Sequence, residues 1–388
     1  MKVVFISNFM NHHQLPFSKA MLEIPKIEYN FIATTPVPTQ RLKMGYYDMN
    51  REYDFVVRAY EDESSYQEAL SLSASADVVI TGSAPEIFIK ERLKKNKLTF
   101  KYSERIYKIK SPFYQMPIRA IKYFWHNGRH KSLYLLCASA FTAADYAKTC
   151  TFLGKTYKWA YFPELKKYDD INLIIDKKKE NSILWVGRLI DWKHPEIPIK
   201  VAQRLKKEGY KFSLKIIGTG EMEAEMTSLI SKYDLNDSVE LLGAMRPEKV
   251  REYMENSQIY LFTSDRQEGW GAVLNESMNS GCAVVASDAI GSVPFLLENG
   301  ENGFIYRDGD IQDIYAKVKY LLDNPEKAKC FGKEAYKTLC DEWNAENAAN
   351  RFIYLAKKML DGDKRPDIFA KGVCSRAEIL KDRWFQNE

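Results

Sequence analysis

Short apolar runs of strand length alternate along most of the chain with longer segments whose apolar residues recur at helical spacing. This alternation is typical of α/β domains, in which helices cover both faces of a parallel sheet. In the first half, the runs predict strands at 3–6, 29–32, 55–57, 78–80, 98–102, 133–138 and 159–162. In the second half, they predict strands at 183–186, 212–217, 239–242, 259–262 and 283–286, with helices between them.

A polar segment separates these two sets of elements. Residues 166–181 include the charged run 176–180 and lie between two apolar runs. We therefore expect an α/β protein with two Rossmann-like domains, each a doubly wound parallel sheet, that face each other across a central cleft. The predicted boundaries are an N-terminal domain at 1–168, a linker at 169–181, a second domain at 182–343 and a helix with a tail at 344–388.

Composition and charge exclude several classes of protein. The chain has 388 residues, of which 45% are hydrophobic and 28% charged, and these values are ordinary for folded globular proteins. The longest uncharged apolar stretch, 133–144, is shorter than the roughly 20 residues that a membrane-spanning helix needs. The stretch 3–6 is too short for a signal-peptide core, so we expect a cytoplasmic location. The six cysteines lack metal-ligand and disulfide spacing and are interpreted as reduced packing residues.

The first candidate for chemistry is the segment 183–193, which reads I-L-W-V-G-R-L-I-D-W-K. A buried type of strand is followed by Gly187 and then by two cations, Arg188 and Lys193. An anion at this end of the strand would meet the planar guanidinium of Arg188 and the mobile ammonium of Lys193, a combination suited to phosphate oxygens. The alternative is a surface loop with ordinary solvated cations.

The second candidate is the segment 259–281, a predicted strand, a loop with Gly269 and Gly271, and a helix beginning near Ala272. Glycines allow the backbone to approach a ligand closely, and a helix start offers unpaired N–H groups, so the segment is typical of a pyrophosphate cradle. Glu268 and Glu276 have seven residues between them. A carboxylate there can accept two hydroxyl hydrogen bonds, which is how ribose is held, although glutamates at such positions are usually solvated.

Five motifs in this half occur in a fixed order. They read V-G-R-L at 186–189 followed by Lys193, I-I-G-T-G-E at 216–221, the pair Glu268 and Glu276, G-C-A-V-V-A-S at 281–287, and N-G-F-I-Y at 302–306. Taken together they resemble the family-4 glycosyltransferases, retaining enzymes with the GT-B architecture of two facing Rossmann-like domains. In that architecture the last long helix, for which 344–360 is the candidate, crosses back onto the first domain.

The resemblance implies roles for individual residues. Arg188 and Lys193 would bind the donor diphosphate, Glu276 the ribose, and Glu268 would lie against the donor sugar. These implied roles give a catalytic set of Glu268, Arg188 and Lys193, and because the two cations replace a metal ion, no metal and no cofactor is expected. The donor would also contact Gly269, Trp270, Gly271, Ala272, Val273 and Leu274 at its phosphate and sugar, and Gly218, Gly243 and Met245 at its nucleoside.

The first half of the chain departs from the family at two places. Where many members have a glycine pair after the first strand, this chain reads S-N-F-M-N-H-H-Q at 7–14, so His12 or His13 would hydrogen-bond a substrate or belong to a solvated capping loop. Where many members have a histidine beside the reacting sugar, this chain has Glu104 and Arg105. Glu104 would orient an acceptor hydroxyl and Arg105 an acceptor phosphate or carboxylate; alternatively, the two form a local ion pair.

The function implied by the resemblance is transfer of a sugar, with retention, from a nucleotide-diphosphate-sugar to a glycan or polyprenyl-linked glycan acceptor, in surface polysaccharide biosynthesis. Two alternatives stay open. A nucleotide-sugar epimerase with the GT-B fold would need catalytic carboxylates in the first domain, where Glu104 is the marked candidate. A non-catalytic nucleotide-sugar-binding subunit is favoured by the missing histidine and opposed by the presence of both Glu268 and Glu276.

The segment 90–131 is strongly basic, with 13 Lys or Arg residues against two acids. No nucleic-acid module accompanies it, so nucleic acid is not an expected partner. Helical spacing over 113–130 places four large apolar residues on one face, beside cations. This pattern predicts contact with an anionic membrane surface, hence a peripheral location; the alternative is that the face packs on its own sheet. The apolar residues are Ile118, Ile121, Phe124 and Trp125.

Overall fold

A computed structural model of the protein describes residues 1–43, 47–109, 116–380 and 384–387. The chain divides into two compact units. Unit 1 consists of Met1–Glu164 and Trp343–Leu380, and unit 2 consists of Leu165–Glu342 and Lys381–Glu388. No helix in the described ranges combines the length and the apolar composition needed to cross a membrane.

Seven described strands form the parallel sheet of unit 1. They are β1 Lys2–Ser7, β2 Glu28–Ala33, β3 Val56–Arg58, β4 Val78–Thr81, β5 Thr99–Ser103, β6 Leu133–Cys137 and β7 Thr156–Lys158. Their order in space is β3-β2-β1-β4-β5-β6-β7, so the order reverses between β1 and β4. The helices of this part are α1 Leu15–Leu22, α2 Thr39–Lys43, α3 Met49–Glu52, α4 Glu63–Ser75, α5 Ile87–Lys94, α6 Met116–Tyr123 and α7 Thr142–Ala147.

Six described strands form the parallel sheet of unit 2, in the order β10-β9-β8-β11-β12-β13. They are β8 Lys179–Val186, β9 Ser213–Ile217, β10 Val239–Leu241, β11 Ser257–Phe262, β12 Ala283–Ser287 and β13 Phe304–Tyr306. The helices are α8 Ile171–Asp176, α9 Glu196–Lys207, α10 Glu223–Lys232, α11 Pro247–Asn256, α12 Val273–Asn279, α13 Val293–Leu296, α14 Ile311–Asp323 and α15 Pro325–Asp341. Single 3₁₀ turns occur at Asp191–Lys193 and Trp384–Asn387.

The central strands of both sheets are continuous apolar runs because helices cover both of their faces. Every residue of β4, β6, β11 and β12 is buried. The doubly wound α/β architecture that the apolar pattern predicts is therefore confirmed in each unit. The sequence analysis assigned no strand to β13, because its three residues are too short a run to stand out from the loop around them.

The last long helix, α16 Ala345–Leu360, belongs to unit 1. Its first turn is capped by the Asn344 side chain, which accepts a hydrogen bond of 2.8 Å from the Asn347 N–H. Its apolar face packs against α1, and the Phe352 ring lies 5.0 Å from the Phe100 ring and 5.8 Å from the Trp159 ring, measured between centroids. The helix thus covers one side of the first sheet.

This covering helix explains one wrong prediction. The aromatic run 159–162 is not a strand; the strand β7 ends at Lys158, just before it. Trp159 and Phe162 are buried because they pack against each other and against Phe17 of α1, with ring centroids 5.1–6.1 Å apart. The composition of the run reflects burial in a loop beneath helices rather than pairing in a sheet.

The segment 169–181, predicted as a linker, contains the helix α8 and the first residues of β8. The helix packs closely on unit 2: a Cβ placed at Gly281 would lie only 3.0 Å from Cγ1 of Ile175. Ile175 is buried, and Lys178 points inward, where its ammonium donates to the Met254 and Ser280 carbonyl oxygens at 2.8 Å each. The segment is therefore polar in composition but ordered in structure.

The segment after α16 runs over unit 1. The hydroxyl of Tyr134 donates to the Lys364 carbonyl oxygen at 2.8 Å, and the hydroxyl of Thr156 donates to the Ala377 carbonyl oxygen at 2.9 Å. Further on, the Trp384 indole N–H donates to the Asp288 carbonyl oxygen in unit 2 at 3.0 Å.

Candidate active site

The carboxyl ends of β8 and β11 are neighbours in the middle of the unit 2 sheet, at the point where the strand order reverses. Doubly wound sheets bind their ligands at this point. The loop after β8 carries Arg188 and Lys193, and the loop after β11 carries Glu268. The topology therefore brings together the two segments that the sequence analysis selected.

The two cations of the first loop lie around one aromatic ring. The Trp192 ring centroid is 5.8 Å from the Arg188 guanidinium carbon and 4.8 Å from the Lys193 ammonium nitrogen. Arg188 is exposed, and within the described part of the chain no carboxylate lies within ion-pair distance of it. Its charge is available to an anion from outside.

Lys193 and Glu268 form an ion pair that the sequence analysis did not anticipate. Their side chains are only 13% and 12% exposed, and the Ser264 hydroxyl donates to the same Glu268 Oε2 atom at 3.1 Å. The implied roles placed Lys193 at a diphosphate and Glu268 at a sugar. The observed pair holds both charges at the carboxyl edge of the sheet and compensates each of them.

Buried hydrogen bonds fix the backbone of this loop. The Thr263 hydroxyl accepts from the Trp185 indole N–H at 2.8 Å and lies 2.8 Å from the Lys193 carbonyl oxygen, to which it donates. The Trp192 carbonyl oxygen accepts from the Asp265 N–H at 2.9 Å. The loops after β8 and β11 are thus tied to each other, which positions Lys193.

Two glycines of the site are required by geometry. Gly271 has φ +81°, and a Cβ there would lie 2.3 Å from the Phe262 ring. Gly218 has φ +141°, and a Cβ there would lie 1.8 Å from the Gly187 carbonyl oxygen. Both positions therefore require glycine. Gly271 packs on the Phe262 ring, and Gly218 packs on the loop that carries Arg188.

The backbone around Gly271 offers hydrogen-bond donors. In the described part of the chain, the N–H groups of Gly271, Ala272 and Val273 donate to no protein acceptor, and α12 begins at Val273. The side chain of Trp270 points inward, is fully buried and donates to the Asn275 side-chain oxygen at 2.9 Å. The predicted contacts in this segment can thus come from its backbone.

Glu276 has different surroundings from Glu268. Within the described residues its carboxylate makes no hydrogen bond, and burial of the carboxyl group raises its pKa to about 7, an effect that the charge of Arg251 opposes. The Arg251 guanidinium itself donates to the Asn279 side-chain oxygen at 2.8 Å. An ionisable carboxylate with open acceptor positions is what two vicinal hydroxyl groups can bind.

The predicted nucleoside contacts lie at the ends of the next two strands. The Gly218 N–H donates to the Gly243 carbonyl oxygen at 2.8 Å, so the segments after β9 and β10 are joined. Met245 is half-buried two residues further on. Nothing in these contacts reads a particular base.

The sequence analysis missed several residues that shape the site: Trp192, Ser264 and Arg251, and also His194. The His194 Nδ1 atom lies 3.5 Å from Glu196 Oε1, and this carboxylate raises the histidine pKa. His194 follows Lys193 in the sequence, but neither it nor the other three belongs to a motif that marks it. In the described ranges, no three His, Cys, Asp or Glu side chains are grouped so that they could hold a metal ion.

The matching edge of the unit 1 sheet holds the two histidines. The rings of His12 and His13 are 3.7 Å apart, and the His13 ring stacks on Tyr161 at 5.1 Å, measured between centroids. Burial, and then the charge of Arg41, lowers the pKa of His12 to about 4. Burial also holds the pKa of His13 well below its usual value. Both imidazoles are thus neutral at pH 7, and the predicted alternative of solvated rings is wrong.

Glu104 and Arg105 do not pair with each other. Glu104 accepts from Lys108 Nζ at 2.6 Å and from the Tyr161 hydroxyl. Arg105 is buried, lies 3.5 Å from Asp145 Oδ2 and packs over the Phe141 ring. The prediction that Arg105 binds an acceptor phosphate is wrong, because its charge is buried against Asp145 inside unit 1.

Tyr161 is the residue of this edge that the sequence analysis missed. It connects His13, on which it stacks, with Glu104, to which it donates a hydrogen bond. The run 159–162 was interpreted as a strand, which would have hidden Tyr161 in the sheet. Because β7 ends at Lys158, Tyr161 lies instead in the loop beyond a strand end, where ligands bind.

Comparison with known proteins finds its sequence matches in the second half of the chain. Residues 169–338 match the family model of glycosyl transferases group 1. The chain is 35% identical over 150 residues to an uncharacterized glycosyltransferase of Haemophilus influenzae, an alignment that covers 39% of this chain and 42% of that protein. It is 34% identical over 139 residues to the amylovoran biosynthesis glycosyltransferase AmsK of Erwinia amylovora, covering 34% of each. The chain thus spans less than half the length of these curated relatives.

Solved structures match nearly the whole chain. A glycosyltransferase from Rickettsia africae superposes with a TM-score of 0.65 at 14% identity, covering 93% of this chain and 99% of that one. HepE of Anabaena in complex with UDP superposes with a TM-score of 0.66 at 14% identity, covering 92% and 100%. At this identity the likeness shows the fold alone, and that fold is GT-B, as the sequence resemblance implied.

Proposed function

Because residues 169–338 match the family model of glycosyl transferases group 1 and the chain has the GT-B fold, we propose that the protein is a retaining glycosyltransferase of family 4. Its donor is a nucleotide-diphosphate-sugar, bound at the carboxyl edge of the unit 2 sheet. Its acceptor is a hydroxyl group of a glycan or polyprenyl-linked glycan. We place the reaction in the cytoplasm, in the biosynthesis of a surface polysaccharide.

One observation carries the proposal: the chemical groups at this edge match a nucleoside diphosphate part by part. Arg188 and Lys193 supply positive charge around Trp192. The N–H groups from Gly271 to Val273, which have no acceptor among the described residues, supply donors for phosphate oxygens. Glu276 supplies an open carboxylate for the ribose hydroxyls. A site for an uncharged sugar alone would need neither the two cations nor the row of free donors.

The proposed reaction uses this charge at the step where it is needed. As the bond between the anomeric carbon and the diphosphate oxygen breaks, negative charge accumulates on the phosphate. Arg188 and Lys193 stabilise it, as preorganised charges do for any developing anion. The acceptor oxygen forms the new bond on the same face, and its proton moves to the departing phosphate. Neither a side-chain nucleophile nor a metal ion takes part in this scheme.

The ion pair of Lys193 with Glu268 gives this scheme a specific first step. A bound diphosphate would compete with Glu268 for the Lys193 ammonium, and Glu268 would then be free to accept hydrogen bonds from hydroxyl groups of the donor sugar. Ser264 keeps the carboxylate oriented during this exchange. Glu268 therefore acts at the reacting sugar, whereas Glu276 acts on the nucleotide.

Names of curated relatives support the acceptor class. One relative, 30% identical over 171 residues, is a Campylobacter jejuni enzyme whose name gives a diphospho-undecaprenol-linked sugar as its acceptor. AmsK belongs to amylovoran biosynthesis. The unit 1 edge supports a neutral, hydroxyl-rich acceptor, because Tyr161 offers an aromatic face beside the Glu104 carboxylate and the neutral His13.

The test is a product analysis with the full chain. We expect binding of at least one nucleotide sugar from a panel that varies the base, and transfer of its sugar to a lipid-linked glycan with the anomeric configuration retained in the NMR spectrum of the product. Activity should persist in EDTA. Conversion of the donor to its epimer without acceptor would favour the epimerase. Donor binding without turnover on any acceptor would favour the non-catalytic subunit. A product with inverted anomeric configuration would refute retention.

A further inference from the structure

Unit 1 carries an exposed apolar face. It is formed by α6 and by the π-helical turn Phe124–Gly128 that continues it. Four large side chains are exposed there: Ile118 by 71%, Ile121 by 62%, Phe124 by 48% and Trp125 by 58%. Large apolar side chains that cluster in solvent mark a surface that binds something. We call these four residues the α6 face.

The opposite side of the same segment is anchored in unit 1. The buried Asn127 side-chain oxygen accepts from Lys101 Nζ at 3.0 Å, and the Tyr123 ring meets the Tyr146 ring edge-on at 5.6 Å between centroids. The Arg119 guanidinium lies 5.4 Å from the Tyr107 ring centroid. The segment therefore already packs on unit 1 through its other side, and the α6 face is the side that is exposed to solvent.

The surroundings of the α6 face are cationic. The sequence 116–131 contains no Asp or Glu, whereas Lys122 and Arg129 are exposed on it. The Arg129 guanidinium lies 5.2 Å from the Trp125 ring centroid, so an aromatic ring and a cation share one spot. His126 is engaged by Glu86, 2.8 Å away. Apolar side chains bordered by cations are the composition of helices that lie in the interface of an anionic bilayer.

We propose that the α6 face docks the protein on an anionic lipid surface, with the four apolar side chains at the level of the headgroups and Lys122 and Arg129 against lipid phosphates. The charges favour this occupant over a second copy of the chain. A two-fold pairing through this face would set the cations of one copy against those of the other. The proposal does not depend on the transfer reaction, because docking is measured without donor or acceptor.

Two other lysines of the basic segment are unsuitable for testing the charge. Lys97 Nζ donates to the Ala74 carbonyl oxygen at 2.7 Å, and Lys101 binds Asn127, so changing either would disturb the fold of unit 1. Lys122 and Arg129 make no ion pair in the described part of the chain. They are the residues whose charge can be reversed without breaking a buried contact.

The experiment is flotation of the full chain with two kinds of vesicle, one of phosphatidylcholine alone and one that also contains about 30 mol% phosphatidylglycerol. We expect at least about tenfold more recovery with the anionic vesicles, since several apolar anchors and cations act together. The double variants Ile121→Ser/Trp125→Ser and Lys122→Glu/Arg129→Glu should each lose this recovery. The control Leu173→Ser changes a side chain of α8 that is equally exposed, at 58%, and should float like the parent chain.

Two further readouts keep folding and self-association apart from docking. Each variant should unfold at the parent's temperature, and Trp125→Phe should still float while losing part of the blue shift of tryptophan fluorescence on vesicles. Equal recovery with neutral and anionic vesicles, or unchanged recovery of both double variants, would overturn the proposal. A dimer of the parent chain in sedimentation that the Ile121→Ser/Trp125→Ser variant does not form would also overturn it, because the face would then bind a second copy of the chain.

Discussion

The carboxyl edges of the two sheets share one topology and differ in charge. In unit 2 the edge is open and ionic: Arg188 is exposed and Glu276 lacks a partner in the described residues. In unit 1 the edge is closed, because its charges are compensated within the unit: His12 and His13 are uncharged at pH 7, Glu104 pairs with Lys108, and Arg105 is buried against Asp145. The same strand order thus carries two environments with different solvation.

For the proposed transfer reaction, this difference suggests which edge binds the donor and which binds the acceptor. A charged, flexible ligand such as a nucleoside diphosphate binds most strongly where protein charges do not already have a partner. A neutral ligand with many hydroxyl groups binds mainly through aromatic faces and fixed hydrogen-bond acceptors, such as Tyr161 and Glu104. The comparison therefore predicts that variants of the two edges separate donor effects from acceptor effects.

The largest effect should come from the closed edge, on stability. Arg105→Ala leaves the Asp145 carboxylate buried without its ion-pair partner, which typically lowers the free energy of unfolding by about 3–5 kcal/mol. Nucleotide-sugar affinity of the folded fraction should not change. Thermal unfolding with and without nucleotide sugar measures both; a stable variant with impaired turnover would instead restore Arg105 as an acceptor-binding residue.

The next effect concerns turnover at the open edge. Arg188→Ala and Lys193→Ala should each lower kcat by on the order of a hundredfold or more, because each removes a charge that stabilises the departing phosphate. Lys193→Ala should also lower stability, since it leaves Glu268 unpaired. The exposed Lys207→Ala is the matched control and should turn over normally.

A double variant separates these two roles of Lys193. Lys193→Ala/Glu268→Gln should regain the unfolding temperature lost in Lys193→Ala, because no buried charge remains unpaired, and should stay inactive. If stability is not regained, the pair seen in the structure does not govern the stability of this loop.

Much of the fold and of the open edge could be predicted from the sequence, because strands buried on both faces are continuous apolar runs and because Glu268, the glycines and Glu276 lie in one contiguous segment, 259–281. The closed edge could not. Its key contacts join residues far apart in the chain, such as Tyr161 with Glu104 and Arg105 with Asp145. Local spacing carries no signal for such pairs, and the burial of 159–162 by α16 imitates a strand.

A smaller effect follows from the pKa of Glu276. Its value of about 7 lies above the usual 4.5, so protonated Glu276 favours the folded state; this stability is fully present below about pH 4.5 and is lost as the pH rises through 7. At pH 8, Glu276→Gln should therefore raise the free energy of unfolding above that of the parent chain by at most about 3 kcal/mol. At pH 4.5 the two proteins should be about equally stable.

Ribose binding adds a second pH readout for the same residue. If the ionised carboxylate accepts the ribose hydrogen bonds, as proposed, affinity for a nucleotide sugar should rise between pH 6 and pH 8 in the parent chain and stay constant in Glu276→Gln. Calorimetry with a nucleotide sugar, whose phosphates do not titrate in this range, measures it. A parallel rise in the variant would show that another group is responsible.

The smallest effect is expected at the acceptor. Tyr161→Phe removes one hydroxyl that donates to Glu104, a contribution of roughly 0.5–1.5 kcal/mol, so the KM for acceptor should rise a few-fold to tenfold. Donor affinity should stay the same. A change in donor affinity of similar size would erase the proposed division between the two edges.

The most direct test of that division is a calorimetric titration with nucleoside diphosphates. The parent chain should bind at least one of them at a single site, and the Arg188→Ala/Glu276→Ala variant should bind it about a hundredfold or more weakly, since hydrogen bonds to charged groups contribute roughly 1.5–3 kcal/mol each. Tyr161→Phe should bind it as the parent does. Binding that survives Arg188→Ala/Glu276→Ala but weakens in Tyr161→Phe would contradict the placement of the donor on unit 2.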